Sequence, residues 1–305
     1  MAELEAPRGA ARRGLRFVPV PKPAAVLMSA PVPELPEVET VRRSLEARLV
    51  GHRVVGAEAR KIRLREGIEP GEWEAGIVGR RLLGLERRAK YILARFEAST
   101  ALFHLGMSGR LVVALPDDPR EPHTHLVLRF DHGRELRLVD PRRFGVAIVL
   151  SNQAVTLHPG LQKLGTDPLL AEAAATLRRR AGRSRVAIRN LLLDQNVLAG
   201  VGNIYANEAL ARAGIHPLRA ASSISTRRLD RLAESVREVL EAALRAGGTT
   251  LDDGGFVDAD GRGGYFAVEL MVYGREGEAC PRCGARIARR NAGGRSVYFC
   301  PRCQR

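Results

Sequence analysis

The cysteines of this chain occur only near its C-terminal end, as Cys280-Pro-Arg-Cys283 and Cys300-Pro-Arg-Cys303. The pattern C-x2-C-x16-C-x2-C is that of a four-thiolate metal site, in which two tight knuckles offer four sulfurs to one tetrahedral ion. The tail is therefore expected to be a small unit stapled by a single structural Zn2+. Four thiolates leave no open position for water, so the metal would hold structure rather than perform chemistry. Spacing alone also permits two disulfides. A chain otherwise free of cysteine points to a reducing, cytoplasmic setting, where disulfides are rare. The tail is also rich in arginine, from Arg282 to Arg305, and so suggests a polyanionic partner.

The whole chain extends that suggestion. Its formal net charge is +15 and its pI about 10.8, the balance of a protein that meets nucleic acid. A basic surface in an arginine-rich proteome is the plainer alternative. Nearly all of the positive charge is arginine, with lysine only at Lys22, Lys61, Lys90 and Lys163. Arginine hardly ever gives up its proton, so a lysine kept among arginines, as in Arg87-Arg88-Ala89-Lys90, invites the question of a titratable amine. No run of about 20 apolar residues is present to span a membrane. At 305 residues the chain has room for two domains and the small tail.

Residues 1–32 carry arginine, alanine and proline without periodicity and read as a disordered or wrongly assigned N-terminal extension. Pro36 followed by Val38, Val41, Leu45 and Leu49 predicts a helix with proline in its first turn. Strand patterns follow at Val54–Ala59, Tyr91–Phe96, Leu102–Met107, Leu111–Leu115, Leu126–Phe130 and Glu135–Val139, the last two joined by an Asp131-His132-Gly133 hairpin. Residues 33–150 thus form a first domain, a β-sandwich behind a leading helix. Residues 165–255 form a helical domain. In it Leu229, Leu232, Val236, Val239, Leu240 and Leu244 share one helix face that Gly247-Gly248 ends. Residues 251–266 are glycine-rich and read as a loop able to cover a substrate. Residues 270–305 are the metal finger. The fold class is α+β and multidomain.

The most telling run is Pro33-Glu34-Leu35-Pro36-Glu37-Val38-Glu39. Together with Arg87-Arg88-Ala89-Lys90-Tyr91, His104-Leu105-Gly106-Met107-Ser108-Gly109, Asp140-Pro141-Arg142-Arg143-Phe144-Gly145, Gly200-Val201-Gly202-Asn203-Ile204-Tyr205-Ala206 and the cysteine tail, it resembles the formamidopyrimidine-DNA glycosylase (Fpg/Nei) family. The resemblance runs through residues 33–305, and the first block looks like the formamidopyrimidine branch. It implies a β-sandwich, a helix–two-turn–helix domain and a zinc finger. The implied activity is that of a DNA glycosylase and abasic-site lyase. Such an enzyme releases 8-oxoguanine and formamidopyrimidines from double-stranded DNA and cuts the strand by β,δ-elimination. A monomer is expected.

The resemblance assigns roles residue by residue. Pro33 is the nucleophile, a secondary amine that attacks the sugar C1′ and becomes an iminium, as Schiff-base amines do. Glu34 is the general acid/base, Lys90 assists β-elimination and contacts the backbone, and Arg295 on the finger touches phosphate and assists δ-elimination. Met107, Arg142 and Phe144 form the wedge that fills the stack when a base is turned out. His123, Arg142, Arg185 and Asn203 are DNA contacts, with Arg185 standing where lysine is common. Cys280, Cys283, Cys300 and Cys303 hold the zinc.

Pro33 is internal as written, and its nitrogen is then an amide without basicity. Val32 stands where the family has its initiator methionine. The expectation is translation from a GTG codon at Val32, with trimming as the alternative. If Pro33 stays blocked, the reading becomes a catalytically silent binder of damaged DNA. A Nei-like enzyme for oxidised pyrimidines is the other alternative.

Overall fold

The computed structural model describes residues 32–66, 68–250, 259, 264 and 269–305. The extension before Val32, apart from that residue, and most of the glycine-rich segment read as a lid lie outside the described residues.

The leading helix α1 spans Leu35–Leu49, with proline in its first turn and Val38, Val41, Leu45 and Leu49 on its buried face, as the 3.6-residue period requires. Next come β1 (Val54–Ala59), α2 (Pro70–Ile77), β2 (Leu82–Arg88), β3 (Tyr91–Phe96), β4 (Ser99–His104), β5 (Arg110–Ala114), β6 (Thr124–Phe130), β7 (Glu135–Val139) and β8 (Val146–Ser151). They make two four-stranded antiparallel sheets, ordered β1-β6-β7-β5 and β2-β3-β4-β8. Val54, Leu128 and Leu136 of the first sheet share one core with Leu85, Ile92 and Phe103 of the second, so the two sheets form a sandwich with α1 packed into it. The strand expected at Leu102–Met107 is displaced to Ser99–His104. Gly106 turns the chain away with φ +63°, and a Cβ there would lie 2.5 Å from the Phe144 backbone. The chain must therefore leave the sheet at this point.

After the sandwich the chain turns helical: α3 (Pro159–Gln162), α4 (Glu172–Ala181), α5 (Ile188–Leu193), α6 (Asn203–Ala213) and α7 (Thr226–Arg245). The predicted apolar face of α7 is inside, and Gly247 and Gly248 have φ of +74° and +88°, the left-handed conformations that stop a helix. The finger hairpin is β9 (Ala288–Ala292) with β10 (Arg295–Phe299). Its core is not separate. Cys280, Ile287, Tyr298 and Cys300 belong to the cluster that includes Tyr205, Leu210 and Leu240 of the helices. Leu35, at the start of α1, also belongs to this helical cluster rather than to the sandwich core. The first turn of α1 is therefore plugged into the second domain, and the site forms at that junction.

Candidate active site

Glu34 ends the non-helical entry to α1 and is only 2% exposed. Helix α6 lacks a side-chain cap of its own, because Gly202 stands at its N-cap. Glu34 supplies the missing acceptor from the other domain. Its Oε1 accepts the Ile204 N–H at 2.8 Å and its Oε2 the Tyr205 N–H at 3.4 Å. These are the orphan donors of a helix start, where the dipole favours an anion. Burial works against the anion and wins, raising the Glu34 carboxyl to about 7; Lys90 pulls it down and Glu37 adds to the rise. A carboxyl that titrates near neutrality can deliver a proton and take one back.

Glu37, one turn on, is equally buried. It accepts the Glu34 N–H at 2.9 Å, the Thr249 N–H at 2.8 Å and the Tyr205 hydroxyl. Burial raises its carboxyl as well, and burial raises the Tyr205 phenol well above its ordinary value. Two of these partners come from elements about 170 and 210 residues away.

Gly202 has a specific reason to be glycine: a Cβ there would lie 2.2 Å from Cδ of Glu34. Gly202→Ala is expected to push the carboxyl aside. Base excision should fall on the order of 100-fold, the scale of an ångström-sized misplacement, while circular dichroism stays unchanged. Single-turnover kinetics would check this.

A cavity of about 830 Å³ opens beside these groups, ample for an extruded nucleotide. Lys90, Met107, Phe144, Arg295, Gly202 and Val32 all line it. Sandwich, helices and finger thus each contribute a wall. Pro33 is buried directly behind Val32, so the residue blocking its nitrogen lies against the cavity. Lys90 sits in the tight β2–β3 turn beside Ala89, whose φ is +54°. Burial lowers the Lys90 ammonium, with Glu34 opposing and Arg295 adding to the fall.

His104 also lines the cavity and was missed by sequence reasoning as an individual residue. Its Nδ1 accepts the Gly106 N–H at 2.9 Å. Burial pushes its pKa down to about 3, with Arg65 and Lys90 contributing. The ring is therefore neutral and carries its proton on Nε2. A histidine ending a strand beside a glycine turn was the available signal.

The loops carrying the wedge residues are tied together by Asp140, which is fully buried. Its carboxylate accepts the Ser108 hydroxyl at 2.7 Å and the Gly145 N–H at 2.9 Å. Arg142 hangs from Ser108 through its backbone N–H at 3.1 Å, and its guanidinium lies 5.1 Å from the centre of the Phe144 ring. Phe144 is 46% exposed, unusual for a ring that could have joined a core. Among the described residues, the non-glycine positions with positive φ are Ala89, His123 and Arg143. Each is, or directly adjoins, a residue predicted to touch DNA, and strained backbone gathers at such sites.

His123 and Arg185 do not line this cavity. His123 borders a separate groove with Arg120 and Glu121, and Arg185 lies exposed between α4 and α5. The Asn203 amide is largely committed inside the protein. Its Oδ1 accepts from buried Arg189 at 2.6 Å, and its Nδ2 donates to the Ser296 carbonyl at 3.1 Å. It thereby ties α6 to the finger hairpin, next to Arg295.

The four cysteine sulfurs form one cluster, all within 4.8 Å of one another. Cys283 and Cys300 Sγ are 3.5 Å apart, far from the ~2.05 Å of a disulfide, and all four cysteines are free thiols, which removes the disulfide alternative. Without a cation, a hydrogen bond from the Cys303 thiol to Cys283 pushes the Cys303 pKa up to about 12; a zinc ion would reverse that by binding the thiolates. The donor set therefore fits the ion. The finger also docks onto the helices: Gln304 Nε2 donates to the Ile215 carbonyl at 2.9 Å, and the Tyr298 N–H to Asn207 Oδ1 at 2.9 Å. Stripping the zinc is expected to release the hairpin and withdraw Arg295 from the cavity wall. DNA affinity should then drop roughly tenfold or more, the worth of one charge-assisted contact. Fluorescence anisotropy with and without chelator would read it.

Three family models match the chain. They are the formamidopyrimidine-DNA glycosylase N-terminal domain over residues 32–147, the H2TH domain of the same enzymes over 164–254, and the zinc finger found in FPG and IleRS over 277–305. Formamidopyrimidine-DNA glycosylases of Syntrophotalea carbinolica and Halorhodospira halophila are 48% and 49% identical to it, each aligned over 100% of its own length and 90% of this chain. The Lactococcus lactis Fpg in complex with an abasic site containing DNA has a TM-score of 0.81 at 35% identity, covering 89% of this chain and 99% of that one. A variant of that enzyme with a Fapy-dG containing DNA has a TM-score of 0.83 at 34% identity, covering 90% and 100%.

Proposed function

The chain belongs to the formamidopyrimidine-DNA glycosylase family, and from that premise we infer that it excises oxidised bases from double-stranded DNA and cleaves the abasic site left behind. The observation that carries this reading is Glu34: a buried carboxyl raised to about 7, next in sequence to Pro33, held beneath the start of α6 at the edge of a nucleotide-sized cavity.

The residues support a definite division of labour. The lone pair of a freed Pro33 nitrogen attacks C1′ and the glycosidic bond breaks; Glu34 gives its proton to the leaving base and takes up the one the nitrogen sheds. Glu34 protonates the ring oxygen O4′, the sugar opens, and the nitrogen is left as an iminium. That cation acidifies the C2′ proton. Its loss expels the 3′ phosphate, and a second elimination expels the 5′ phosphate. Lys90, with its lowered ammonium, is suited to proton transfer and phosphate contact, and Arg295 to stabilising charge on a departing phosphate. Met107, Arg142 and Phe144 are the wedge, and His123, Arg185 and Asn203 face the duplex backbone. One zinc at Cys280, Cys283, Cys300 and Cys303 keeps Arg295 in place when bound.

We assign the catalytic sandwich to 33–150, the helix–two-turn–helix domain to 165–255 and the finger to 270–305, and place the enzyme as a monomer in the bacterial cytoplasm. Among the described residues no helix is long and apolar enough to cross a membrane. Duplexes carrying 8-oxoguanine opposite cytosine, thymine glycol, or no lesion test the assignment, with base release and strand cutting measured separately. Fastest release is expected from 8-oxoguanine. Binding without release of either lesion would make the protein a silent binder, and faster release of thymine glycol would make it a pyrimidine enzyme.

A further inference from the structure

A second group of metal-ligating side chains lies at the far end of α1 from Glu34, a helix roughly 22 Å long by its 15 residues at about 1.5 Å each. Gly51 reverses the chain there with φ +90° and presents His52. The β6–β7 hairpin brings Asp131 and His132 against it. One nitrogen from each imidazole and one carboxylate oxygen lie within 4.8 Å of one another.

The arrangement is built rather than incidental. Asp131 and Arg53 are locked by reciprocal bonds, the Arg53 N–H to Oδ2 at 3.1 Å and the Asp131 N–H to the Arg53 carbonyl at 2.9 Å. That leaves Oδ1 facing both rings, 3.0 Å from His52 Nδ1 and 3.9 Å from His132 Nδ1. The rings stack with centroids 3.6 Å apart at 16°. The His132 ring also hydrogen-bonds the backbone of Arg48. A bond from a ring nitrogen to a backbone carbonyl is the usual support of a ligating histidine. In a chain of net charge +15, this carboxylate pairs, among the described residues, with these two imidazoles.

We propose that His52, Asp131 and His132 form a second divalent-metal site, distinct from the four-thiolate finger. Two imidazole nitrogens and one carboxylate oxygen select a borderline ion such as Zn2+, Ni2+ or Cu2+ over Mg2+ or Ca2+. The two rings lie in nearly parallel planes in van der Waals contact, so binding an ion between their nitrogens requires them to fan apart about Cβ–Cγ. Their half-exposed position permits that and lets water complete the shell. The ion takes the place of the proton between His52 Nδ1 and Asp131, and the ring then carries its proton on Nε2. Once bound, it clamps the C-terminal end of α1 to the β6–β7 hairpin and braces the helix whose other end carries Glu34.

The test is metal content by mass spectrometry on untagged full-length protein equilibrated with micromolar free Zn2+, and separately with Ni2+, together with thermal melts. We expect one metal equivalent beyond the finger zinc and a higher melting temperature in its presence. His52→Ala and His132→Ala should each lose the extra equivalent and the thermal shift. Both should keep the finger zinc and full base excision in metal-free buffer. Asp131→Asn keeps the size of the side chain and should weaken the extra equivalent at least tenfold. An unchanged metal content on adding Zn2+ and Ni2+, or an extra equivalent that survives both histidine substitutions, overturns the site. Neither result depends on DNA, so the outcome is separate from the fate of the glycosylase assignment.

Discussion

A chain that begins at Pro33 is expected to form a covalent, borohydride-trappable adduct with a lesion-containing duplex, and a chain that retains Val32 is expected to form none. With Val32 attached, the Pro33 nitrogen is a tertiary amide. Its lone pair is delocalised into the carbonyl, it carries no hydrogen, and it cannot become an iminium. Freed, the same atom is an α-amine that titrates near neutrality, at the start of a helix whose dipole favours the neutral form. The structure adds a steric reason, since Val32 lies against the cavity the sugar must enter. The contrast should be all-or-none for trapping and much weaker for DNA affinity, because Lys90, Arg142 and Arg295 are present in both chains. Peptide mapping locates the adduct. An adduct on Lys90, or an equal yield from the chain that keeps Val32, would remove Pro33 from the mechanism.

Where the sequence was legible, one physical signal was local and strong. The cysteine spacing could be read directly, because two knuckles are local structures and need no tertiary information. Helices α1 and α7 were legible because their apolar period is uninterrupted and proline or glycine marks an end. Strand β2 was not, because the register shifts between Leu82 and Gly84 and leaves Leu82 and Leu85 at a helix-like spacing. Helix α2 was overlooked although Pro70, Trp73 and Ile77 carry its pattern. The site divides in the same way. Resemblance named Glu34, Lys90 and Arg295, but nothing local says that Glu34 caps a helix 170 residues away. Nor does anything local say that Gly202 is glycine to make room for it. Asn203 reads from the resemblance as a DNA contact; that its amide also joins Arg189 and Ser296 is set by tertiary packing. These are contacts between domains, and a single sequence does not encode them in any short pattern.

Glu34→Gln is expected to slow base release severely and at the same time stabilise the fold at neutral and alkaline pH. The loss follows from removing the proton carrier, worth roughly 10²–10⁴-fold in rate. The gain follows from linkage. In the folded protein burial raises the Glu34 carboxyl from 4.5 to about 7, so the native state binds this proton more tightly than the unfolded chain. Below the unfolded value both states are protonated, and Glu and Gln should be equally stable. As pH rises towards 7 the unfolded chain ionises first, and native stability falls by about 3 kcal/mol before levelling off. Glutamine, which cannot ionise, escapes that fall and still offers an oxygen to the Ile204 N–H. Urea denaturation of both proteins from pH 4 to 9 should give curves that coincide in acid and diverge until about pH 7. A variant less stable than the parent at pH 8 would mean that Glu34 is a stabilised anion there. A stabilised anion has no proton to give at the pH where the enzyme must work, and the acid step would then have to be reassigned, with Lys90 the next group along the cavity wall.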